Sequence, residues 1–226
     1  MAKINVFESI MSRNDRIAVR NKKIMGKALS LNLMSSPGAG KTRLLETTLK
    51  DLGKKMRIGV IEGDVATSND AERIKKYAPK SAVYQIKTEN YGGTCHLDAK
   101  MVSKGLAGIN AANGNYNLII FENVGNLICP ADFFLGEDKK VVLLSVTEGD
   151  DKPVKYPGMF ESADLIVLNK IDLLKHLKFN MKKALANIRK INKKVPILLI
   201  SAEKGTGIKS WYKILNEWII GKNILQ

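Results

Sequence analysis

The stretch LSLNLMSSPGAGKTRLLE, residues 29–46, decides the fold because it joins a buried strand to a helix through a glycine-rich loop. Its centre, Gly38-Ala39-Gly40-Lys41-Thr42, is typical of a phosphate-binding loop. The glycines let backbone N–H groups approach polyphosphate oxygens closely and adopt unusual dihedral angles. The positive end of the following helix then faces the phosphates. We expect Lys41 to neutralise the β and γ oxygens and Thr42 to ligate Mg²⁺.

The loop departs from the usual phosphate-binding pattern at one position. The motif G-x-x-x-x-G-K-[ST] begins with glycine, whereas this chain has Ser35 there. A glycine-rich turn that holds no ligand is the alternative interpretation. The strand before the loop, the helix after it and the Lys-Thr pair together favour phosphate binding. We assign Arg43, the residue after the motif, to the nucleotide-binding set as well.

The composition indicates one globular domain without a membrane span. A chain of 226 residues with 45% hydrophobic residues can bury a sizeable single core. No apolar run approaches the ~20 residues that a membrane span needs. Residues 1–23 carry charges throughout, unlike a secretory signal, and two cysteines do not make a disulfide framework. We therefore expect a cytoplasmic protein.

The formal net charge of +15 points to acidic partners such as nucleic acid, an anionic surface or a bound polyphosphate. The basic residues are nevertheless scattered in short pairs, and no strand shows the aromatic and basic pattern of an RNA-binding sheet. A generally lysine-rich proteome is the simpler explanation. We do not expect nucleic acid to be a partner.

Strand-like and helix-like segments alternate along the chain. The predicted strands are the one before the phosphate loop and residues 57–64, 83–86, 116–124, 140–146, 163–170 and 196–201. The predicted helices are residues 4–27 with a candidate break at Asn14-Asp15, the phosphate-loop helix to about residue 50, and residues 69–77, 96–110, 176–192 and 207–220. This alternation predicts an α/β fold, namely a P-loop NTPase three-layer sandwich with a mostly parallel central sheet flanked by helices.

A parallel sheet with right-handed crossovers brings the carboxyl ends of all its strands to one edge, where ligands bind. The polar and glycine-rich segments fall at those strand ends. We therefore expect one rim to hold residues 35–42, Asp64, 88–96, 122–129, 169–172 and 201–203.

Asn169-Lys170-Ile171-Asp172 follows a predicted strand and matches the guanine-reading motif of GTP-binding proteins. The Asp172 carboxylate can accept from N1–H and N2–H₂ of guanine together, and adenine offers neither donor there. We expect Asn169 to reach N7 and O6, and the Lys170 stem to lie on the base. Ser201-Ala202-Glu203 after the last strand matches the supporting motif, in which a backbone N–H meets O6. Residues 29–226 are thus predicted to form a GTPase domain, and residues 1–28 a helical arm packed on its core.

The hydrolytic motif is irregular. Glu122-Asn123-Val124-Gly125 stands where GTPases usually have D-x-x-G. We expect Glu122 to hold Mg²⁺ directly or through water and the Gly125 N–H to meet the γ-phosphate. Asp64 is the second candidate carboxylate, and Thr67 lies in the predicted first switch. Because no glutamine stands in position to orient water, we expect slow intrinsic hydrolysis, as in a switch.

A second site is indicated by Cys95, His96 and Cys129, which combine both cysteines with one of the two histidines on the expected rim. A lone cysteine is usually a small buried hydrophobe. Three ligands fall short of the four of a closed zinc site, and a two-fold dimer would supply more. Thiolate and imidazole suit Zn²⁺ or Ni²⁺. We interpret His176 as a surface histidine.

Four further stretches resemble the HypB family of hydrogenase maturation GTPases: GDVATSNDAERI (63–74), GGTCHLDAKMV (92–102), ENVGNLICPADF (122–133) and VTEGDDKPVKYPGMF (146–160). With SSPGAGKT and NKIDLL, the resemblance covers the chain from about residue 13 onward. It implies a P-loop GTPase of the signal-recognition-particle and MinD-like class that uses GTP, GDP and Mg²⁺. It also implies a homodimer favoured by GTP, with a Ni²⁺ or Zn²⁺ site of Cys95, His96 and Cys129 at its interface.

The resemblance further implies partners, namely a hydrogenase large-subunit precursor and a HypA-type nickel and zinc accessory protein. Some members carry a cysteine motif or a histidine-rich stretch near the N-terminus, and residues 1–30 hold neither. Three other functions stay open: a urease-accessory-type GTPase, whose Cys-Pro-His motif differs from Cys95-His96, a GTP-regulated switch with a structural zinc, and a nucleic-acid-binding NTPase.

Overall fold

The structure is a computed structural model that describes residues 2–65, 69–77 and 82–224. Within these residues a seven-stranded, wholly parallel sheet has the order β3-β2-β4-β1-β5-β6-β7. The strands are β1 Leu29–Ser35, β2 Ile58–Asp64, β3 Ala82–Lys87, β4 Leu118–Glu122, β5 Lys139–Ser145, β6 Leu165–Asn169 and β7 Ile197–Leu199. The helices are α1 Ala2–Met25, α2 Lys41–Leu52, α3 Asn69–Lys76, α4 Ala99–Gly108, α5 Cys129–Asp132, α6 Lys152–Lys155, α7 Pro157–Glu161, α8 Met181–Ile191 and α9 Ile208–Ile224.

Both faces of the sheet are covered, which confirms the predicted three-layer architecture. In β4, Leu118 and Ile120 pack in one core with α2 and α9, whereas Ile119 and Phe121 pack in another with α4. Successive side chains of a strand point to opposite faces, so these two cores lie on opposite sides of the sheet. Every residue of β4 is buried, as is typical of central parallel strands.

The central strand β1 creates the crevice in which a ligand can bind. It pairs with β4 on one side and β5 on the other. The chain runs from β1 toward β2 and β3 on one side and then crosses to β5, β6 and β7 on the other, so the strand order reverses at β1. In open parallel sheets the ligand crevice lies at such a reversal, beyond the carboxyl ends of the strands.

Several element boundaries differ from the predictions. Helix α4 begins at Ala99 rather than at residue 96, because the Asp98 side chain caps it by accepting from Met101 N at 2.7 Å. The predicted basic helix 176–192 is shorter in the structure: α8 spans Met181–Ile191, begins after its cap at Asn180, and is preceded by a 3₁₀ helix, Ile171–His176. Short helices α5, α6 and α7 were not predicted, because four or five residues carry no helical periodicity.

Helix α1 is continuous through Asn14-Asp15, where a break was a candidate. The Asn14 side chain donates to Phe134 O at 2.7 Å and accepts from Ala99 N at 2.9 Å, so it bonds to the core instead of competing with its own helix. Asn21 is fully buried and donates to the carbonyl oxygens of Ala99 and Leu135. The division of the chain between residues 28 and 29 stays a prediction.

No helix in the described part of the chain combines the length and the apolar character needed to cross a membrane.

Candidate nucleotide and metal sites

The phosphate-binding loop has the backbone geometry that its glycines predicted. Gly38 and Gly40 lie at φ +74° and +98°, in the left-handed region. A Cβ atom on Gly40 would lie 2.5 Å from Asn169 Nδ2, so only glycine fits there. Lys41 Nζ donates to Ser35 Oγ at 2.9 Å, which gives the residue that departs from the motif a specific contact. Burial lowers the pKa of the Lys41 ammonium, although the neighbouring carboxylates oppose this shift.

A cavity of about 450 Å³ opens beside this loop, lined by its residues and by carboxylates from three other segments. Thr42 Oγ1 lies 2.7 Å from Glu122 Oε1 and 3.1 Å from Asp70 Oδ2. A hydroxyl has one proton, so it donates to only one of these two carboxylates at a time. Asp64 also lines the cavity, and its Oδ1 accepts from Val65 N at 2.7 Å. Thr67 lies outside the described residues.

Buried carboxyl groups make this cavity a candidate divalent-cation site. Burial raises the pKa of Glu122 to about 7, and burial together with the nearby Glu122 raises the pKa of Glu62 to about 8. Oε2 of each is buried without a hydrogen-bond partner among the described residues. Unpaired carboxylate oxygens beside a threonine hydroxyl match the oxygen ligands that Mg²⁺ prefers. The residues present therefore fit Mg²⁺.

Gly125 packs directly against the phosphate-binding loop and lines the same cavity. A Cβ atom on Gly125 would lie 2.9 Å from both Cα and N of Pro37. This close backbone approach explains why glycine occupies the last position of the irregular Glu122–Gly125 motif.

At the base-reading end, Asn169 connects three loops. Its Nδ2 donates to Ala39 O at 2.9 Å, and its Oδ1 accepts from Lys170 N and Ala202 N at 2.8 and 3.1 Å. Lys170, at φ +62°, donates through Nζ to Gly38 O at 2.6 Å. These bonds hold the phosphate-binding loop against both base-reading loops, whereas the contact of Asn169 with N7 and O6 stays a prediction.

The remaining base-reading residues lie beside these loops. Asp172 Oδ1 is buried and has no hydrogen-bond partner in the described part of the chain, so it is able to accept from a bound base. Ser201 Oγ accepts from Lys204 N at 3.0 Å and shapes the turn after β7. Glu203 Oε2 forms an ion pair with Arg43 Nε at 2.9 Å, although its alignment falls short of a hydrogen bond.

A chain of ion pairs joins the Thr42 end of the cavity to the base-reading end. Asp70 Oδ1 bonds Arg73 Nη1 at 3.0 Å, and Arg73 Nε bonds Glu46 Oε1 at 2.8 Å. Glu46 Oε2 bonds Arg43 Nη1 at 3.0 Å, and Arg43 contacts Glu203. The buried Glu46 carboxylate thus connects α2, α3 and the loop after β7.

Sequence reasoning missed three of these carboxylates. Glu62 carried a signal, because a charged residue inside the buried strand IGVIEGD is costly unless it has a function. Asp70 and Glu46 carried none, because polar residues in an amphipathic helix are ordinary.

Cys95, His96 and Cys129 come together as a candidate metal site. Their ligand atoms all lie within 4.8 Å of one another, with Sγ–Sγ at 3.1 Å and Cys95 Sγ to His96 Nδ1 at 4.0 Å. His96 stacks on Phe133. Burial lowers the pKa of His96, which favours the neutral imidazole that binds metals. The hydrogen bond with Cys95 raises the pKa of the Cys129 thiol, so metal binding would release protons. His176 is exposed at the end of its 3₁₀ helix, as predicted.

Comparison with known proteins places the chain in a family. Residues 30–199 match the family model described as CobW/HypB/UreG, nucleotide-binding domain. The hydrogenase maturation factor HypB from Rhizobium leguminosarum bv. viciae is 47% identical over 211 residues, which are 92% of this chain and 68% of that protein. The chain belongs to the HypB family of hydrogenase maturation factors.

Two solved HypB structures share the fold over 92% of this chain. The crystal structure of HypB from Archaeoglobus fulgidus superposes with a TM-score of 0.83 at 36% identity and is covered over 99% of its length. The structure of HypB from Helicobacter pylori in complex with nickel gives the same TM-score and identity, and is covered over 96%. The match over nearly the whole length of two HypB chains confirms the fold class predicted from the alternation of strands and helices.

Proposed function

We propose that the protein is a GTP-hydrolysing nickel metallochaperone that helps insert nickel into a [NiFe]-hydrogenase precursor. The observation that carries the proposal is the cluster of Cys95, His96 and Cys129, which lies beyond strands β3 and β4 at the same edge of the sheet as the nucleotide cavity. Cys129 lies on the segment that begins with Glu122, and Glu122 contacts Thr42. The nickel complex of the Helicobacter pylori relative supports nickel as the cargo.

Guanine-nucleotide binding rests on both ends of the crevice. Lys41 and the loop N–H groups bind the phosphates, while Asp172 accepts from guanine. Thr42, Glu122 and Asp64 would hold Mg²⁺, which when bound neutralises charge on the β and γ oxygens. Hydrolysis is slow in this proposal, because no glutamine lines the described part of the cavity to orient water.

Nucleotide and metal are coupled through a short segment. Cys129 lies four residues beyond Gly125, whose N–H meets the γ-phosphate in this proposal. Loss of the γ-phosphate releases Gly125, and the segment then carries Cys129 away from Cys95 and loosens the metal site. GTP favours a homodimer that supplies further ligands, and a HypA-type accessory protein exchanges nickel with it. Coupling between two ligands is reciprocal, so nickel alters nucleotide affinity by the same factor.

The test is nickel titration of the purified protein, free and loaded with GDP or a non-hydrolysable GTP analogue, with sedimentation of each sample. We expect two chains per particle with the GTP analogue and a nickel affinity that depends on the nucleotide. C95A should abolish this binding and leave GTP binding intact, whereas H176A, the matched control, should retain both. A monomer indifferent to nickel in every state contradicts the proposal.

A GTP-regulated switch with a structural zinc is the alternative that this cluster also permits. It predicts that C95A loses folding stability together with zinc, whereas a metallochaperone keeps its fold and loses only delivery. A urease-accessory role is separated by delivery assays with the two apo-enzymes.

A further inference from the structure

Asn123 is a buried side chain that connects the loop of the nucleotide site to the loop of the metal site. It follows β4 directly, and 1% of it is exposed. Its Oδ1 accepts from Leu97 N and from Val124 N, both at 3.0 Å. Its Nδ2 donates to Asn32 Oδ1 in the central strand β1 at 3.1 Å. Since Leu97 follows His96, the Asn123 amide group connects strand β1, the loop of the metal site and the Glu122–Gly125 segment.

The Leu97 end of this connection is held firmly. Leu97 is fully buried and packs closely on β2: a Cβ atom on Gly63 would lie only 2.7 Å from Leu97 Cδ2. The buried Leu97 N–H depends on Asn123 as its acceptor, and a buried N–H without an acceptor destabilises the fold. The metal loop therefore has a fixed point one residue after His96.

The two halves of the metal site are thus attached differently. Cys95 and His96 are anchored to the sheet through Leu97, Asn123 and Asn32. Cys129 is attached through the segment that contains Gly125, which contacts Pro37 of the phosphate-binding loop. Moving Gly125 changes the metal site only if the other half stays where it is.

We infer that Asn123 is the positioning residue that couples nucleotide state to nickel affinity, by holding Cys95 and His96 to β1 while Cys129 follows Gly125. This inference rests on the proposed function and adds the group that makes the coupling possible. Without the Asn123 bonds, the Cys95–His96 loop moves together with Cys129, and the nickel affinity no longer depends on the bound nucleotide.

The experiment compares wild type, N123A and N117A, each titrated with nickel in the GDP and GTP-analogue states. Asn117 is the matched control, because it precedes β4, accepts from Arg57 N at 2.9 Å and lies at the opposite end of the strand. Allosteric coupling is typically 5–150-fold. We expect the ratio of the two nickel affinities to fall at least fivefold in N123A and to stay at the wild-type value in N117A.

Two further readouts keep the inference falsifiable. The change in GDP affinity caused by nickel should fall by the same factor in N123A, which a simple loss of stability would not produce. N32A keeps Asn123 and its bond to Leu97 N but removes the acceptor in β1, so it should also lower the ratio, even where N123A folds poorly. An unchanged ratio in N123A overturns the inference alone. A wild type with equal nickel affinity in both states overturns the proposed coupling and this inference with it.

Discussion

At the residue scale, the phosphate-binding loop depends on two glycines that differ in their surroundings. Both Gly38 and Gly40 have positive φ angles, yet a Cβ atom would meet nothing within 4 Å at Gly38 and would clash with Asn169 at Gly40. The two positions therefore separate backbone strain from steric exclusion.

We predict that G38A lowers the free energy of unfolding by about 1–2 kcal/mol, the cost of a left-handed conformation for alanine. G40A should lose more, because its methyl group also displaces Asn169 from Ala39 O. Urea unfolding without nucleotide measures both values. Equal losses of unfolding free energy in the two variants would show that the contact between residue 40 and Asn169 adds no steric cost.

The buried carboxyl groups predict an unusual pH dependence of the nucleotide-free protein. The pKa values of Glu122 and Glu62, about 7 and about 8, lie above their ordinary value of 4.5. The folded state thus binds more protons than the unfolded state between pH 4.5 and 8. Stability contributed by these groups should fall as pH rises through this window, with a slope of up to about 1.4 kcal/mol per pH unit for each proton.

Urea unfolding at several pH values checks this expectation, with E62Q as the comparison variant. E62Q should flatten the slope between pH 5 and 8, because its amide does not titrate. A wild type whose stability rises over the same window would contradict the raised pKa values.

At the element scale, α2, α3 and the loop after β7 are held together by Glu46. Its two oxygens bond Arg73 on α3 and Arg43 on α2, and Arg43 reaches Glu203. Both arginines are partly exposed, so loss of the carboxylate leaves them hydrated rather than stranded. The element arrangement around the cavity therefore depends on one buried acid.

We predict that E46Q lowers the free energy of unfolding by about 1.5–3 kcal/mol, the range for a hydrogen bond to a charged group. It should also weaken GDP binding, because Asp70 in the cavity and Glu203 in the base-reading loop after β7 lose their support. D51N on the same helix, where Asp51 Oδ2 accepts from Tyr212 Oη at 2.8 Å, is the control and should leave GDP binding unchanged. Denaturation and titration with fluorescent GDP measure the two effects. A GDP affinity of E46Q equal to that of the wild type would contradict a role of Glu46 in supporting the nucleotide site.

At the scale of the whole molecule, strand order creates the metal site. Cys95 follows β3 and Cys129 follows β4, which both pair with β2. The two thiols are 34 residues apart in sequence and 3.1 Å apart in space. The site therefore exists only in the folded chain, so a metal that binds it stabilises the fold.

We predict that nickel at 100 times its Kd stabilises the wild type by about 2.7 kcal/mol. Thermal denaturation with and without nickel measures this as a rise in Tm. C129A should lose the rise as completely as C95A does, and H176A should keep it. A full rise in C129A would place the bound nickel elsewhere.

Much of the fold followed from sequence because its signals are local. The glycine loop between strand and helix, the continuous apolar strands and the guanine motif each lie within a few adjacent residues. Helix boundaries were less predictable, since the start of α4 depends on the cap at Asp98 and the continuity of α1 depends on the bonds of Asn14 with Phe134 O and Ala99 N, both far along the chain. The roles of Glu46, Asp70 and Asn123 depend on partners far along the chain.

The sequence by itself determined the phosphate-binding loop, the parallel α/β fold, the family and the rim on which candidate ligands lie, because periodicity and short motifs express local backbone and side-chain preferences. Only the tertiary structure decided three contacts. Ser35 Oγ accepts from Lys41 Nζ, Glu62 and Asp70 line one cavity with Glu122, and Asn123 Oδ1 accepts from Leu97 N. These contacts depend on strand order and on packing across the sheet. Distances between segments brought together by folding are not encoded in any local pattern.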